Sequence, residues 1–253
     1  MPHFFVPPGN KSGLFFSFDP SESRHLSKVL RKKAGDLVVI FDGQGGVQKA
    51  RILNVSNPLK VTGEILDSPG SPESAPRPCQ TLEIFPALIK GPRFEWLIEK
   101  LTELGVASIH PVLTERTLVR LQPDQAEKKL NRWKKIALAA SKQSGRSDVP
   151  TFFPPVPLEE ALTAQKGDAL DLMLWEGEEI TTLSQTLLKF RETRRSRGNF
   201  SVRLFVGPEG GLTIQEVEKA KKNGVRTVNI GPNILRAETA ALASAAVVML
   251  LHG

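Results

Sequence analysis

The 253-residue chain has one cysteine, no tyrosine, three methionines and four histidines. A lone cysteine, Cys79, excludes an intramolecular disulfide and a cysteine-clustered metal site. His3, His25, His110 and His252 are scattered without ligand spacing, so no metal is expected. The longest apolar run, Ala240 to Leu251, is broken by Ser244 and falls short of a membrane span, which needs roughly 18–20 residues. The start, MPHFFVPPGN, has no basic region leading into a long apolar stretch, as a secretory leader would. These absences predict a soluble cytoplasmic protein. Three motifs are also missing. Without a G-x-S-x-G elbow, hydrolase chemistry loses support. Without G-x-G-x-x-G, or a glycine loop followed by Lys-Ser or Lys-Thr, dinucleotide and P-loop enzymes lose theirs.

What is present is positive charge. A net charge of +7 and a pI near 9.6 raise the local concentration of polyanions, making nucleic acid a candidate partner. From Lys128 to Arg146 there are seven Lys or Arg residues and no acid, with Trp133 among them. Arg24, Lys28, Arg31, Lys32 and Lys33 form a second cluster. Such cations bind phosphate, and an aromatic can stack on a base. Trp133 reads better as core, because large aromatics are mostly buried.

The stretch SPGSPESAPRP, Ser68 to Pro78, has four prolines and can neither join a sheet nor continue a helix. It predicts a small domain over 1–67, a linker over 68–80 and a larger domain over 81–253. In the small domain, two β-rich runs flank a turn at Gly43 to Gly46, and KVTGEIL supplies another strand. A serine-capped helix is expected over Ser21 to Leu30, with Leu26, Val29 and Leu30 on its apolar face.

Beyond the linker, strand-length runs at Leu82–Leu88, Val106–Leu113, Leu170–Trp175, Val202–Val206 and Thr227–Ile230 alternate with helical segments. That is the pattern of a parallel α/β sheet. Phe94, Leu97, Ile98, Leu101 and Leu104 share one helical face ending at Gly105. Thr213 and Glu216 are spaced as a capping box.

Two loops could carry chemistry. LFVGPEGGLT, Leu204 to Thr213, leaves a strand and enters the capped helix, where open parallel sheets bind ligands. Its Glu209 would repel a phosphate and suits sugar hydroxyls or a cationic ligand better. NIGPNILRAETAALAS begins at Asn229 with a strand end, continues through an irregular stretch at Gly231 to Leu235, and enters an Ala-rich helix near Arg236. Each loop also has a plain structural reading, as a glycine turn and as a buried helix.

In order, HLSKVLRKKAGDLVVIFDGQGG, KGPRFEWLIEKLTELGV, TERT, RWKKIALAASKQSGRSDVP, LWEGE, FVGPEGGLTIQEVE and IGPNILRAETAALAS resemble the bacterial 16S ribosomal RNA uridine-N3 methyltransferases of the SPOUT, or α/β-knot, class. The resemblance covers nearly the whole chain. It implies a PUA-like β-barrel that helps bind RNA, then a catalytic α/β domain with a parallel sheet and a C-terminal trefoil knot. It implies S-adenosylmethionine as methyl donor, 16S ribosomal RNA within the assembled small subunit as substrate, and a homodimer. Carried onto this chain, the cofactor pocket would involve Leu174, Gly177, Gly207, Glu209, Gly210, Ile230, Leu235, Arg236, Thr239 and Ala240. RNA would be held by Arg24, Lys28, Arg31 and Arg146. His3 stands where the family pattern leads one to expect an arginine.

Methylating uracil N3 requires removal of its proton, by a base or with cationic stabilisation of the anion. The candidates are Glu209 as base or orienter and Arg236 or Arg116 as stabiliser. Two alternatives stay open: a knotted methyltransferase acting on another RNA position, and a non-catalytic RNA-binding or ribosome-assembly protein.

Overall fold

The structure, a computed structural model, describes residues 3–66, 80–119, 122–164, 168–193 and 200–251. The expected linker apart from Gln80, with Cys79, and also His252 lie outside the described residues. The chain divides into two compact units, Met1–Arg77 with Ser141–Val149, and Pro78–Ala140 with Pro150–Gly253.

The first unit is a curled six-stranded sheet. Its strands are β1 (His3–Phe5), β2 (Lys11–Ser12), β3 (Phe15–Ser17), β4 (Leu37–Phe41), β5 (Val47–Asn54) and β6 (Thr62–Ile65), in the order β1-β4-β5-β6-β3-β2. Of these strands, only β1 and β4 pair in parallel. Alternation sends Val38, Ile40, Ala50 and Ile52 inward onto Phe4, Phe16 and Phe18. The Phe16 and Phe18 rings meet edge to face at 5.0 Å.

The helix of this unit departs from expectation twice. α1 (Pro20–Arg24) is capped by Asp19, not by a serine: its carboxylate accepts the N–H groups of Ser21 at 2.7 Å and Glu22 at 2.8 Å. Pro20 is preorganised for the first helical position, which moves the cap one residue earlier. The chain then widens into a π-helical turn, His25–Val29. Its i→i+5 spacing breaks the expected apolar stripe, so Leu26 is buried while Val29 is 66% and Leu30 38% exposed. Arg31 ends the turn with φ of +50°, a backbone region that non-glycine residues rarely enter.

The second unit is built on a fully parallel sheet of order β10-β8-β7-β13-β12-β14. In chain order it comprises β7 (Gln80–Pro86), α2 (Gly91–Leu104), β8 (Ser108–Ile109), β9 (Val112–Leu113), α3 (Pro123–Ser144), β10 (Thr151–Phe152), β11 (Val156–Pro157), α4 (Leu158–Thr163), β12 (Ala169–Leu174), α5 (Leu183–Thr193), β13 (Phe200–Val206), α6 (Ile214–Lys222), β14 (Arg226–Val228) and α7 (Ala237–Leu250). The last residues of α3 belong to the first unit. The strand expected over 106–113 is two short ones, because Pro111 between them has no N–H to give a ladder. The second of these, β9, pairs with β11 outside the main sheet.

Phe94, Leu97, Ile98 and Leu101 bury the inner face of α2, and Gly105, at φ of +96°, ends it. Trp133 is core, 3% exposed, against Phe94 at 4.9 Å. α7 packs on α2, α5, β7 and β13 through Ala241, Ser244, Ala245 and Val248, small enough to let α2 approach closely. On the opposite face of the sheet, Phe85, Met173 and Phe205 meet α4 and α6. That face also buries an ion pair, with Arg203 Nη1 3.3 Å from Asp171 Oδ2. Arg203 Nη2 donates to the Ala161 carbonyl at 2.7 Å, and its guanidinium lies over the Phe85 ring at 4.9 Å.

Candidate active site

Strand order creates the site. The chain runs from β7 outward to β8 and β10, then places β12, β13 and β14 on the other side of β7, with β13 inserted next to it. Loops 175–182, 207–213 and 229–236 therefore leave the carboxyl ends of three adjacent parallel strands, where α/β sheets bind ligands. They enclose a cleft of about 320 Å³, within the size range of small-molecule sites.

Loop 175–182 is shaped by one carboxylate. Glu178 accepts the Thr227 hydroxyl at 2.5 Å and the N–H groups of Thr181 at 2.9 Å and Ile180 at 3.2 Å. The Thr227 hydrogen bond is the main reason its carboxyl is held below the usual range. The Glu178 carbonyl accepts the Asn229 side-chain amide at 2.8 Å. Backbone bonds from Asn229 N–H to Thr181 and from Leu183 N–H to Asn229 pair this loop in parallel with the segment after β14.

Loop 207–213 is fixed at both ends. The capping box is formed: Thr213 Oγ1 accepts Glu216 N–H, and Glu216 Oε2 accepts Thr213 N–H at 2.9 Å. The other oxygen of Glu216 accepts Glu115 N–H at 2.8 Å, and Arg116 Nη1 donates to the Gly210 carbonyl at 2.8 Å. Gly211 has φ of +71°, and a Cβ there would run into the Glu176 carboxylate, so this turn needs glycine.

Of the expected cofactor residues, Leu174, Gly207, Glu209, Gly210, Ile230, Leu235 and Ala240 lie on the wall of the cleft. Gly177, Arg236 and Thr239 do not. Gly177 sits beneath the Trp175 ring, where a Cβ would collide with it. Arg236 is the exposed N-cap of α7, and Thr239 is exposed in its first turn. Arg116 is also off the wall, on its rim.

The wall has a definite electrostatic character. It carries the carboxylates of Glu176, Glu178 and Glu209 and, among the described residues, no Lys, Arg or His. Arginines stand outside it. Arg93 Nη1 lies 3.7 Å from Glu209 Oε1, and its Nε lies 3.9 Å from Glu238 Oε1. Sequence reasoning missed Glu178, Asn229, Arg93 and Glu238. Glu178 was the most legible of these, as one of three acids after a buried strand in LWEGEE.

The expected RNA contacts all fall in the first unit. Arg24, Lys28 and Arg31 are exposed along α1 and the π turn. Arg146 is turned inward: its side chain is 11% exposed and grips Asp148 through Nη2 at 2.7 Å and Nε at 3.2 Å. The long basic run is partly neutralised elsewhere as well, with Arg132 bidentate to Glu95 and Lys142 paired with Glu22.

Residues 75–249 match a family model described as an RNA methyltransferase domain, and residues 18–66 one described as an RNA methyltransferase PUA domain. Ribosomal RNA small subunit methyltransferase E of Synechocystis is 34% identical over 220 residues, 87% of this chain and 68% of that protein. Its Bacillus subtilis counterpart is 31% identical over 227 residues, 90% of this chain and 86% of that one. Among solved structures, ribosomal RNA small subunit methyltransferase E of Neisseria gonorrhoeae bound to S-adenosyl methionine is similar with a TM-score of 0.81 and 31% identity. That match covers 99% of this chain and 98% of the other.

Proposed function

The chain belongs to the RNA methyltransferase family that includes ribosomal RNA small subunit methyltransferase E, and we propose that it methylates N3 of a uridine in 16S ribosomal RNA from S-adenosylmethionine. The observation that carries this reading is the cleft: three carboxylates, no cation among its described residues, and apolar walls at the carboxyl ends of β12, β13 and β14. Phosphate-bearing cofactors would be repelled there, whereas a sulfonium and an ammonium are attracted. An adenine ring suits the walls made by Leu174, Ile230 and Leu235.

When bound, the cofactor supplies an activated methyl group on a positively charged sulfur. Leu174, Gly207, Gly210, Ile230, Leu235 and Ala240 would hold it. Gly177 acts through the ring it lets settle, and Arg236 and Thr239 act from the start of α7. Glu209 takes the imide proton as uracil N3 bonds to the methyl carbon and the carbon–sulfur bond breaks. Arg116 and Arg236, on the rim, oppose the negative charge spreading over the uracil oxygens. The target base must leave its stack to reach the cleft.

Arg24, Lys28 and Arg31 are the RNA-holding cations of this reading, and Arg146 is a brace within the first unit. Ile180 and Ile234, each 87% exposed on the loops around the cleft, are suited to cover by a second copy. The trefoil knot of the class is part of this reading, in which loop 175–182 pairs with the segment after β14. In this reading the protein acts in the cytoplasm, on the assembled small subunit.

Calorimetric titration tests the cleft. The wild type should bind S-adenosylmethionine, and Leu235→Ala should lose about tenfold in affinity, since covering a leucine side chain with an apolar ring contributes about 1.5–3 kcal/mol. Leu235 is 37% exposed, so the fold should survive the change. Equal binding by both proteins would place the cofactor elsewhere.

A further inference from the structure

We propose that Arg93 is a positioning residue for Glu209, holding this carboxylate at the cleft by bridging it to Glu238 of α7. The proposal rests on reading the cleft as the methyl-transfer site.

Arg93 is in the first turn of α2, which begins just beyond the carboxyl end of β7 and so at the same edge of the sheet as the cleft loops. Two different nitrogens face two carboxylates from separate segments: Nη1 toward Glu209 at 3.7 Å, and Nε toward Glu238 at 3.9 Å. A guanidinium can do this because its donors are spread over a rigid fork, whereas an ammonium is a single point of charge. Both distances are those of ion pairs longer than direct hydrogen bonds, so the clamp has room to tighten.

Glu238 is the more committed partner. Its side chain is 13% exposed, and its second oxygen is buried without a hydrogen-bond partner among the described residues. An acid in the first turn of a helix is favoured by the helix dipole, but that alone does not explain why it faces Arg93. Leaving a buried carboxylate oxygen unpaired costs free energy, and the bridge to Arg93 offsets that cost. Arg116 in turn holds the Gly210 carbonyl. The backbone beside Glu209 is thus held by one arginine and its side chain by another. Reactive groups need such restraint, because a displacement of about 1 Å can cost two orders of magnitude in rate.

The test uses the full-length protein, labelled S-adenosylmethionine and unmodified small ribosomal subunits. Arg93→Gln should lower kcat about tenfold and lower the melting temperature only slightly, since Glu238 loses a partner that is itself half-exposed. Arg93→Lys should fall between the two. The decisive readout is coupling: Arg93→Gln made in the Glu209→Gln background should lower kcat by no more than about twofold further, because both changes break one bridge. A wild-type rate in Arg93→Gln, or losses that multiply in the double variant, would overturn the proposal. Wild-type protein that binds cofactor yet transfers no methyl group would sink the reading of the cleft, and this proposal with it.

Discussion

Replacing Glu178 by Ala should loosen cofactor binding without unfolding the protein. The carboxylate receives three hydrogen bonds, from the buried Thr227 hydroxyl at 2.5 Å and from the N–H groups of Thr181 at 2.9 Å and Ile180 at 3.2 Å. Hydrogen bonds to charged groups contribute about 1.5–3 kcal/mol each when shielded. Ile180 is 87% exposed, so water replaces its lost acceptor at little cost. Thr227 and Thr181 carry the effect, and part of it is recovered as the loop relaxes. We expect a net loss of about 1.5–2 kcal/mol in ordering loop 175–182, hence roughly 10- to 30-fold weaker binding of S-adenosylmethionine by calorimetry. Glu178→Gln keeps an acceptor but loses the charge, and should fall between. The Glu178 carboxyl is held below its ordinary range, so its contribution is complete above that range and is lost only as pH falls through the lowered value. Neutral-pH assays therefore see the full effect. Binding by Glu178→Ala within twofold of wild type would refute the view that this carboxylate shapes the loop.

Three further outcomes are expected. Arg203→Met should destabilise the second unit by about 3–5 kcal/mol, because Asp171 is left as a buried charge, and adding Asp171→Leu should restore most of the loss. Denaturant midpoints check this, and a double variant worse than the single would contradict it. His110 is stacked between Phe85 at 4.4 Å and Phe153 at 4.1 Å, and burial lowers its pKa to about 4. Its neutral ring supports the fold above about pH 6.5, and that support is lost as pH falls toward about 4. His110→Phe should accordingly show a shallower drop in melting temperature across this window, and parallel curves would exclude the assignment. Replacing Arg24, Lys28 and Arg31 together by Gln should flatten the dependence of RNA affinity on salt by roughly 0.7–0.9 for each phosphate no longer neutralised; an unchanged slope would move the RNA surface elsewhere.

Features set by neighbours in sequence were legible before the fold was known. The Thr213–Glu216 capping box, the apolar face of α2 and its Gly105 stop depend on residues within one or two turns, and all three formed. Local features that failed had a local competitor: Pro20 shifted the cap to Asp19, and Pro111 split one expected strand. The π turn hid Val29 and Leu30 from helical reasoning because it changes the period on which such reasoning rests. The site divides in the same way. Its glycine loops could be read from sequence because strand-turn-helix order marks them. Glu178 meets Thr227 across 49 positions, and Arg93 meets Glu209 only because β7 and β13 are sheet neighbours. No pattern in the sequence encodes that adjacency. The inward turn of Arg146 has a different, local origin: its acid, Asp148, stands two residues on, just past the end of the basic run.

The central claim is most directly tested by incubating the protein with labelled S-adenosylmethionine and small ribosomal subunits lacking the modification, then digesting the RNA to nucleosides. The account predicts one labelled product, 3-methyluridine, from 16S RNA, formed faster on assembled subunits than on naked RNA. Label in any other nucleoside, or none at all from a protein that binds the cofactor, would contradict it.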